Sequence, residues 1–270
     1  MPTVHLPYVD SALAHMEQGG PAAFWHDLHW GLYPDAATAD DSPEGYVAAA
    51  AALTGHVVAA AGVAPGTRVL DVGCGFGGTL AHIRDRHPGC RPVGVNIDER
   101  QLQWARRLGE GSPLPLVAAD GCALPVAAAS QHHVLAVECV FHFPSRKAFF
   151  REAARVLQPG GRLALTDFLL AAGGMGTFLA KAAELGPGDW YGHSSAPLTS
   201  AAYERLGRGA GFELLVDEDV TARTLPTYSA RRRLYREAGA AEGLATIDRV
   251  EALATEGAWE YHVLAFRKQA

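Results

Sequence analysis

Cysteine is scarce. The 270-residue chain has four, Cys74, Cys90, Cys122 and Cys139, with no CxxC pair and no histidines at metal-ligand spacing. Neither a disulfide framework nor a metal is expected, and the expected compartment is reducing, the cytoplasm. Charge is also sparse at 19%, and it is acidic: 23 Lys+Arg against 29 Asp+Glu give a net charge of −6. Binding through phosphates needs a basic surface, so nucleic acid is not an expected partner. The run Arg231-Arg232-Arg233 falls in a helical segment and is expected to be a solvated face. The first residues lack the basic region and apolar stretch of a signal peptide.

One stretch lacks charge altogether. Tyr46 to Pro65 is about twenty residues, long enough to span a bilayer, but it is mostly alanine and carries Thr54, His56 and two glycines. Ser42 in front is an N-cap, Pro43 suits the first helical position, and Gly62 is a stop. The stretch therefore reads as a close-packed helix of a water-soluble protein, with no membrane partner. Hydrophobic residues make up 49% of the chain, enough for a large buried core.

From residue 68 onward short β-type runs alternate with helical patterns, the mark of a parallel sheet wrapped by helices. Strands are expected at 68–72, 92–96, 114–118, 133–138 and 162–168, then at 212–220 and 258–268, with helices near 76–87, from 98, from Ser145, at 198–209 and across 225–256. The fold class expected is α/β, a doubly wound Rossmann-like sheet. Residues 1–62 read as an N-terminal helical cap and 63–270 as the sheet domain, with a lid at 171–200. Trp25, His29, Trp30 and Tyr33 in the cap, with Trp190 and Tyr191 in the lid, are candidates for lining a hydrophobic substrate site. His26 and His29 lie at i and i+3, but without a third ligand they do not make a metal pattern.

The strongest local signal is Val69-Leu-Asp-Val-Gly-Cys-Gly-Phe-Gly-Gly-Thr79, a strand entering a glycine loop before a helix. Glycine allows a tight turn and close approach of a ligand to the backbone. Gly73, Gly75 and Gly78 also satisfy G-x-G-x-x-G, so a nicotinamide-dependent oxidoreductase is a rival reading. Three polar positions favour another ligand. Asp71 would repel a pyrophosphate but suits an ammonium and a sulfonium; Asn96 closes the second strand, where ribose hydroxyls are held; Asp120, followed by Gly121, can accept from an adenine amino group.

With these residues in order, and with the Leu157-Gln-Pro-Gly-Gly161 turn, the stretch of about 66–170 resembles the class I S-adenosylmethionine-dependent methyltransferases. The resemblance implies a seven-stranded sheet with six parallel strands and the last antiparallel. It also implies S-adenosyl-L-methionine as cofactor and S-adenosyl-L-homocysteine as product. Asp71, Gly73, Gly75 and Gly77 would cradle the methionine part, Asn96 and Ile97 the ribose, and Asp120 and Gly121 the adenine. Most members have Asp or Glu where this chain has Asn96, and Gln101 is expected to supply part of the missing contact.

Glu138-Cys-Val-Phe-His142 closes the fourth strand, at the sheet edge where open α/β folds place their ligands. This Glu-x-x-x-His spacing resembles small-molecule methyltransferases acting on sugars, sterols, tocopherols and polyketides. Methyl transfer from a sulfonium is an in-line displacement, and a base is required where the acceptor must lose a proton. His142 is the expected general base, with Asp167 beside it to orient the imidazole, so O-methylation of a small natural-product acceptor is favoured. Glu138 would serve C-methylation by stabilising a developing cation, and it counts among the cofactor-binding candidates too. N-methylation comes third, and a silent cofactor-binding protein is a further alternative. Acceptor identity and oligomeric state are not written in these motifs.

Overall fold

In the computed structural model, residues 6–19, 26–108, 113–182, 190–192 and 194–270 are described. Seven strands form a single sheet in the order β3-β2-β1-β4-β5-β7-β6. They are β1 (Arg68–Val72), β2 (Arg91–Asn96), β3 (Leu116–Ala118), β4 (Gln131–Ala136), β5 (Leu157–Leu170), β6 (Phe212–Asp219) and β7 (Trp259–Lys268). β1 to β5 run parallel, and β7 is antiparallel to both β5 and β6, as expected for a doubly wound sheet whose last strand reverses.

Side-chain alternation along each strand assigns the two faces. Leu70, Val72, Val134, Ala136, Leu163 and Leu165 enter one core with Phe149, Phe150 and Val156 of α5 (Arg146–Val156) and Tyr203 of α7 (Ser200–Gly209). Val69, Leu135, Ala164 and Val263 enter the other. There they meet α2 (Pro43–Ala61), α3 (Gly78–Arg86), α9 (Pro226–Glu237) and α10 (Ala241–Thr255). The alanine-rich stretch is α2. Its cap Ser42 accepts from the Gly45 N–H at 3.1 Å, Gly62 stops it at φ +67°, and Leu53, Val57 and Ala61 are fully buried against the sheet. The core is therefore continuous across residue 62. No described helix is long and apolar enough to cross a membrane.

Three departures from the sequence reading have local causes. β4 ends at Ala136, two residues early, because Glu138 adopts φ +49° and turns the chain out of the sheet. α3 starts at Gly78, since Gly75 and Gly77 occupy left-handed conformations. β5 starts at Leu157, five residues before the expected 162, because Leu157 already pairs with Gln131 of β4; the expected lid holds a helix, α6 (Met175–Ala182), with 183–189 and His193 outside the described residues.

A fourth departure corrects the solvated-face reading of the arginine run. Arg232 pairs with Asp248 and Glu251, and Arg233 with Asp41. Arg231, however, is only 3% exposed; its guanidinium lies 4.9 Å from the Tyr46 ring and 5.9 Å from that of Trp30, and it donates to the Leu28 carbonyl. Position 231 falls on the same helical face as Tyr228, Leu234 and Tyr235, all turned inward.

Candidate active site

A cleft of about 150 Å³ lies at the carboxyl ends of β1, β2 and β4, where the strand order reverses. One half is built by the glycine loop. Gly73 sits at φ +77°, and a Cβ there would come within 2.6 Å of Cys139 Sγ. Gly75, at φ +52°, faces the Gln101 amide. Gly77 lies outside the lining: it is the left-handed N-cap of α3, packed against Leu114, and Gly78 and Thr79 line the cleft instead.

Asp71 ends β1 with its carboxyl 1% exposed, and its Oδ2 has no hydrogen-bond partner. Burial pushes this carboxyl up to about 7, against the pull of the His29 charge. A buried carboxylate with an orphaned oxygen facing a cleft is suited to an ammonium group of a ligand. At the end of β2 the Asn96 side-chain amide donates to Gln101 Oε1 at 2.8 Å and to the Asp98 carbonyl at 3.3 Å. After that pairing Asn96 retains a carbonyl acceptor and Gln101 an amide donor, a complementary set for neighbouring hydroxyls. Ile97 lines the cleft beside them. Asp120 Oδ1 accepts from the Cys122 N–H at 2.8 Å, which fixes the turn carrying Gly121. A Cβ at Gly121 would lie 2.9 Å from Phe143 and 3.0 Å from Val72, so that wall stays flat enough for a planar ring. The donor set and the glycine-lined cradle fit S-adenosylmethionine.

The other half is aromatic, with a carboxylate at its base. Glu138 holds a left-handed backbone that a glutamate rarely adopts, pinned by its N–H to Thr166 Oγ1 at 2.9 Å. Its Oε2 accepts from the Trp30 N–H at 2.8 Å and from the Tyr261 hydroxyl at 2.6 Å. Burial raises this carboxyl to about 7, opposed by His29 and by these donors. His142 ends a short helical turn, Val140–His142, and packs 4.3 Å from the Phe141 ring. Tyr8, from α1 (Pro7–Glu17), stacks on the imidazole at 5.9 Å, with its hydroxyl 3.4 Å from Nε2. The Tyr8 N–H donates to the Trp190 carbonyl at 3.0 Å, and the Tyr8 ring meets that of Tyr191 at 5.7 Å. Helix α1 and the 190–191 segment together cover this half.

Asp167 is not beside His142. It is 0% exposed, 3.0 Å from the Arg146 guanidinium, and accepts from the Tyr203 hydroxyl and, at 2.8 Å, from the Phe168 N–H. Those partners consume its acceptor capacity, and it does not line the cleft. Of the aromatic candidates, Tyr191 and His29 line it, while Trp30, Tyr33 and Trp190 are buried behind the wall. Trp30 packs on Phe168 and Tyr228, the Tyr33 N–H donates to the Arg223 carbonyl, and Trp190 packs on Tyr235. Trp25 lies outside the described residues.

His29 donates from Nδ1 to the Trp30 carbonyl at 2.9 Å, and its Nε2 lies 3.3 Å from Asp27. Burial opposes its cation, yet Asp27 and Glu138 outweigh burial and raise its pKa. Asp27 and Tyr8 are among the wall residues that sequence reasoning missed. Asp27 sits inside the His26–His29 cluster and was legible as a partner for His29, whereas nothing in the local pattern marks Tyr8. Away from the cleft, Asp219, Glu260 and His262 bring ligand atoms within 4.8 Å of one another; both ring nitrogens of His262 face carboxylates, Asp217 and Glu260.

Residues 70–165 match the family described as a methyltransferase domain. The chain is 33% identical over 211 residues to methyltransferase GfsG of Streptomyces halstedii, covering 76% of this chain and 73% of that protein. It is 30% identical over 257 residues to the 27-O-demethylrifamycin SV methyltransferase of Amycolatopsis mediterranei, covering 90% of each. Among solved structures, the [4+2]-cyclase SpnF superposes with a TM-score of 0.77 at 23% identity, covering 97% of this chain and 94% of that one, a likeness of fold.

Proposed function

The chain belongs to the S-adenosylmethionine-dependent methyltransferases, and from that premise we propose that it methylates a hydroxyl oxygen of a small, hydrophobic natural product, with His142 as general base. When bound, S-adenosylmethionine supplies a methyl group on a cationic sulfur, and S-adenosylhomocysteine is the product. Asp71 would pair with the ammonium of its methionine part, Asn96 and Gln101 would bond the ribose hydroxyls with Ile97 alongside, and Asp120 and Gly121 would hold the adenine.

The observation that carries the O-methyl reading is the position of His142 Nε2, inside the cleft and in contact with the Tyr8 hydroxyl. Burial pushes the Tyr8 phenol up, so it stays protonated and can donate to Nε2 in the tautomer that carries its proton on Nδ1. An acceptor hydroxyl displacing that phenol gives its proton to Nε2 as the new bond to carbon forms. Tyr8, Phe141 and Tyr191 line the cleft and would restrain the acceptor, and such positioning supplies most of the rate in an in-line displacement. The O-demethyl substrate in the name of the 90%-covering relative supports the same chemistry.

C-methylation is the second reading, and Glu138 is the observation in its favour: a carboxylate held at the cleft wall by neutral donors could stabilise a developing carbocation. His142→Ala separates the two. With an acceptor found from a panel of hydroxylated polyketides and isoprenoids, turnover is expected to fall about 10²- to 10⁴-fold while S-adenosylhomocysteine affinity is kept. Near-normal turnover in that variant overturns the base assignment.

A further inference from the structure

The charges on the cleft wall are one-sided. Asp27, Asp71, Asp120 and Glu138 line it, and among the described residues no arginine or lysine does. The stretches outside the described residues contain neither residue type. His29 does not redress the balance for a ligand, since its ring nitrogens are committed to the Trp30 carbonyl and to Asp27 and Thr54. Arg231 lies behind the rings of Trp30 and Tyr46 and donates to Leu28.

Asp71 and Asp120 belong to the cofactor end by their place beside Gly73 and Gly121, and Asp27 faces His29. Glu138 remains at the aromatic end. Both donors to its Oε2 are neutral, and no ion pair with it occurs among the described residues. An acceptor carrying phosphate or carboxylate would give up its hydration against this wall and meet no arginine or lysine in return. An ammonium would complete the Glu138 carboxylate as a charge-assisted hydrogen bond.

We propose that the acceptor site prefers a hydrophobic amine-bearing molecule to its uncharged counterpart and rejects anionic ones, with Glu138 as the residue that sets this specificity. The proposal rests on the methyltransferase reading only for which end of the cleft holds the cofactor. It does not depend on His142 or on the atom that receives the methyl group.

Calorimetric titration of the S-adenosylhomocysteine-loaded enzyme with geranylamine, geraniol and geranyl phosphate tests it. The phosphate is run with and without Mg²⁺, because a divalent ion could bridge it to the carboxylates. The amine is expected to bind about tenfold more tightly than the alcohol, and the phosphate more weakly than either. In Glu138→Gln, with a cooperative thermal melt and an unchanged circular-dichroism spectrum as the check on folding, the amine should fall to the affinity of the alcohol. Phosphate binding equal to the alcohol in either condition, an amine no tighter than the alcohol, or no binding by the amine overturns the proposal. So does a folded Glu138→Gln protein that keeps the amine preference; should that variant not fold, the wild-type series decides alone. A methyl group found on carbon would sink the O-methyl reading and leave this affinity order unchanged, so the two fail separately.

Discussion

Replacing Asp71 by asparagine should stabilise the empty protein and weaken its cofactor binding, two effects of opposite sign from one substitution. In the folded chain burial lifts this carboxyl from 3.8 to about 7. Between those values the folded state keeps a proton that the unfolded state has lost, so stability falls as pH rises through the window and the full penalty is present above it. At about 1.36 kcal/mol per pH unit the penalty is about 4 kcal/mol at pH 8.5. An amide at the same place has its own buried hydrogens to satisfy, which returns about 1–3 kcal/mol. The net expectation for the empty Asp71→Asn protein at pH 8.5 is a gain of about 1–3 kcal/mol, a rise of a few degrees in Tm. Binding is expected to move the other way, because in the proposed complex the ionised carboxylate would pair with the ammonium of the ligand. Loss of a charge-assisted bond worth about 1.5–3 kcal/mol weakens S-adenosylhomocysteine about 10- to 100-fold. In the wild type that affinity should tighten as pH rises through about 7, and in Asp71→Asn most of this dependence should vanish. Differential scanning fluorimetry and calorimetry across pH 5.5–8.5 (assay range chosen around the ~7 midpoint) read both. A variant less stable than wild type at the alkaline end, with unchanged affinity, refutes the placement of an uncompensated charge.

Substitutions at three further positions probe other parts of the structure. Gly121→Ala puts a Cβ 2.9 Å from Phe143, so the ring must shift, and S-adenosylhomocysteine affinity should drop about tenfold or more with a stability loss of about 1–3 kcal/mol in urea melts. Arg231→Ala removes the stack on Tyr46 and Trp30 and strands the Leu28 carbonyl, costing about 2–4 kcal/mol; Arg231→Lys should recover less than half, because an ammonium cannot stack as a plane. Ser42→Ala deprives the Gly45 N–H of its acceptor and should cost about 1 kcal/mol without changing cofactor affinity.

The parts legible in the sequence are those governed by local rules. Gly73 and Gly75 announce a loop that needs positive φ, and alternating residues such as Val69, Leu70 and Val72 announce a strand buried on both faces. Residues whose role depends on distant chain were not legible. Asp167 ends up with Arg146 and Tyr203, 21 positions before it and 36 after, and adjacency of strand ends gives no hint of either. Glu138 was placed inside a strand because its left-handed turn is imposed by Thr166, Trp30 and Tyr261. Arg231 is an intermediate case. Its triplet suggested a wet surface, while helical spacing from Tyr228 and Leu234 already pointed it inward.

The central claim is that the methyl group is delivered to oxygen with His142 taking the proton. Incubation of the enzyme with ¹³C-methyl-labelled S-adenosylmethionine and its acceptor, followed by long-range carbon–proton NMR of the product, locates the label directly. A labelled methyl on an ether oxygen, lost from the product mixture in His142→Ala, is the result predicted. A labelled methyl bonded to carbon or nitrogen, or undiminished labelling in His142→Ala, contradicts it.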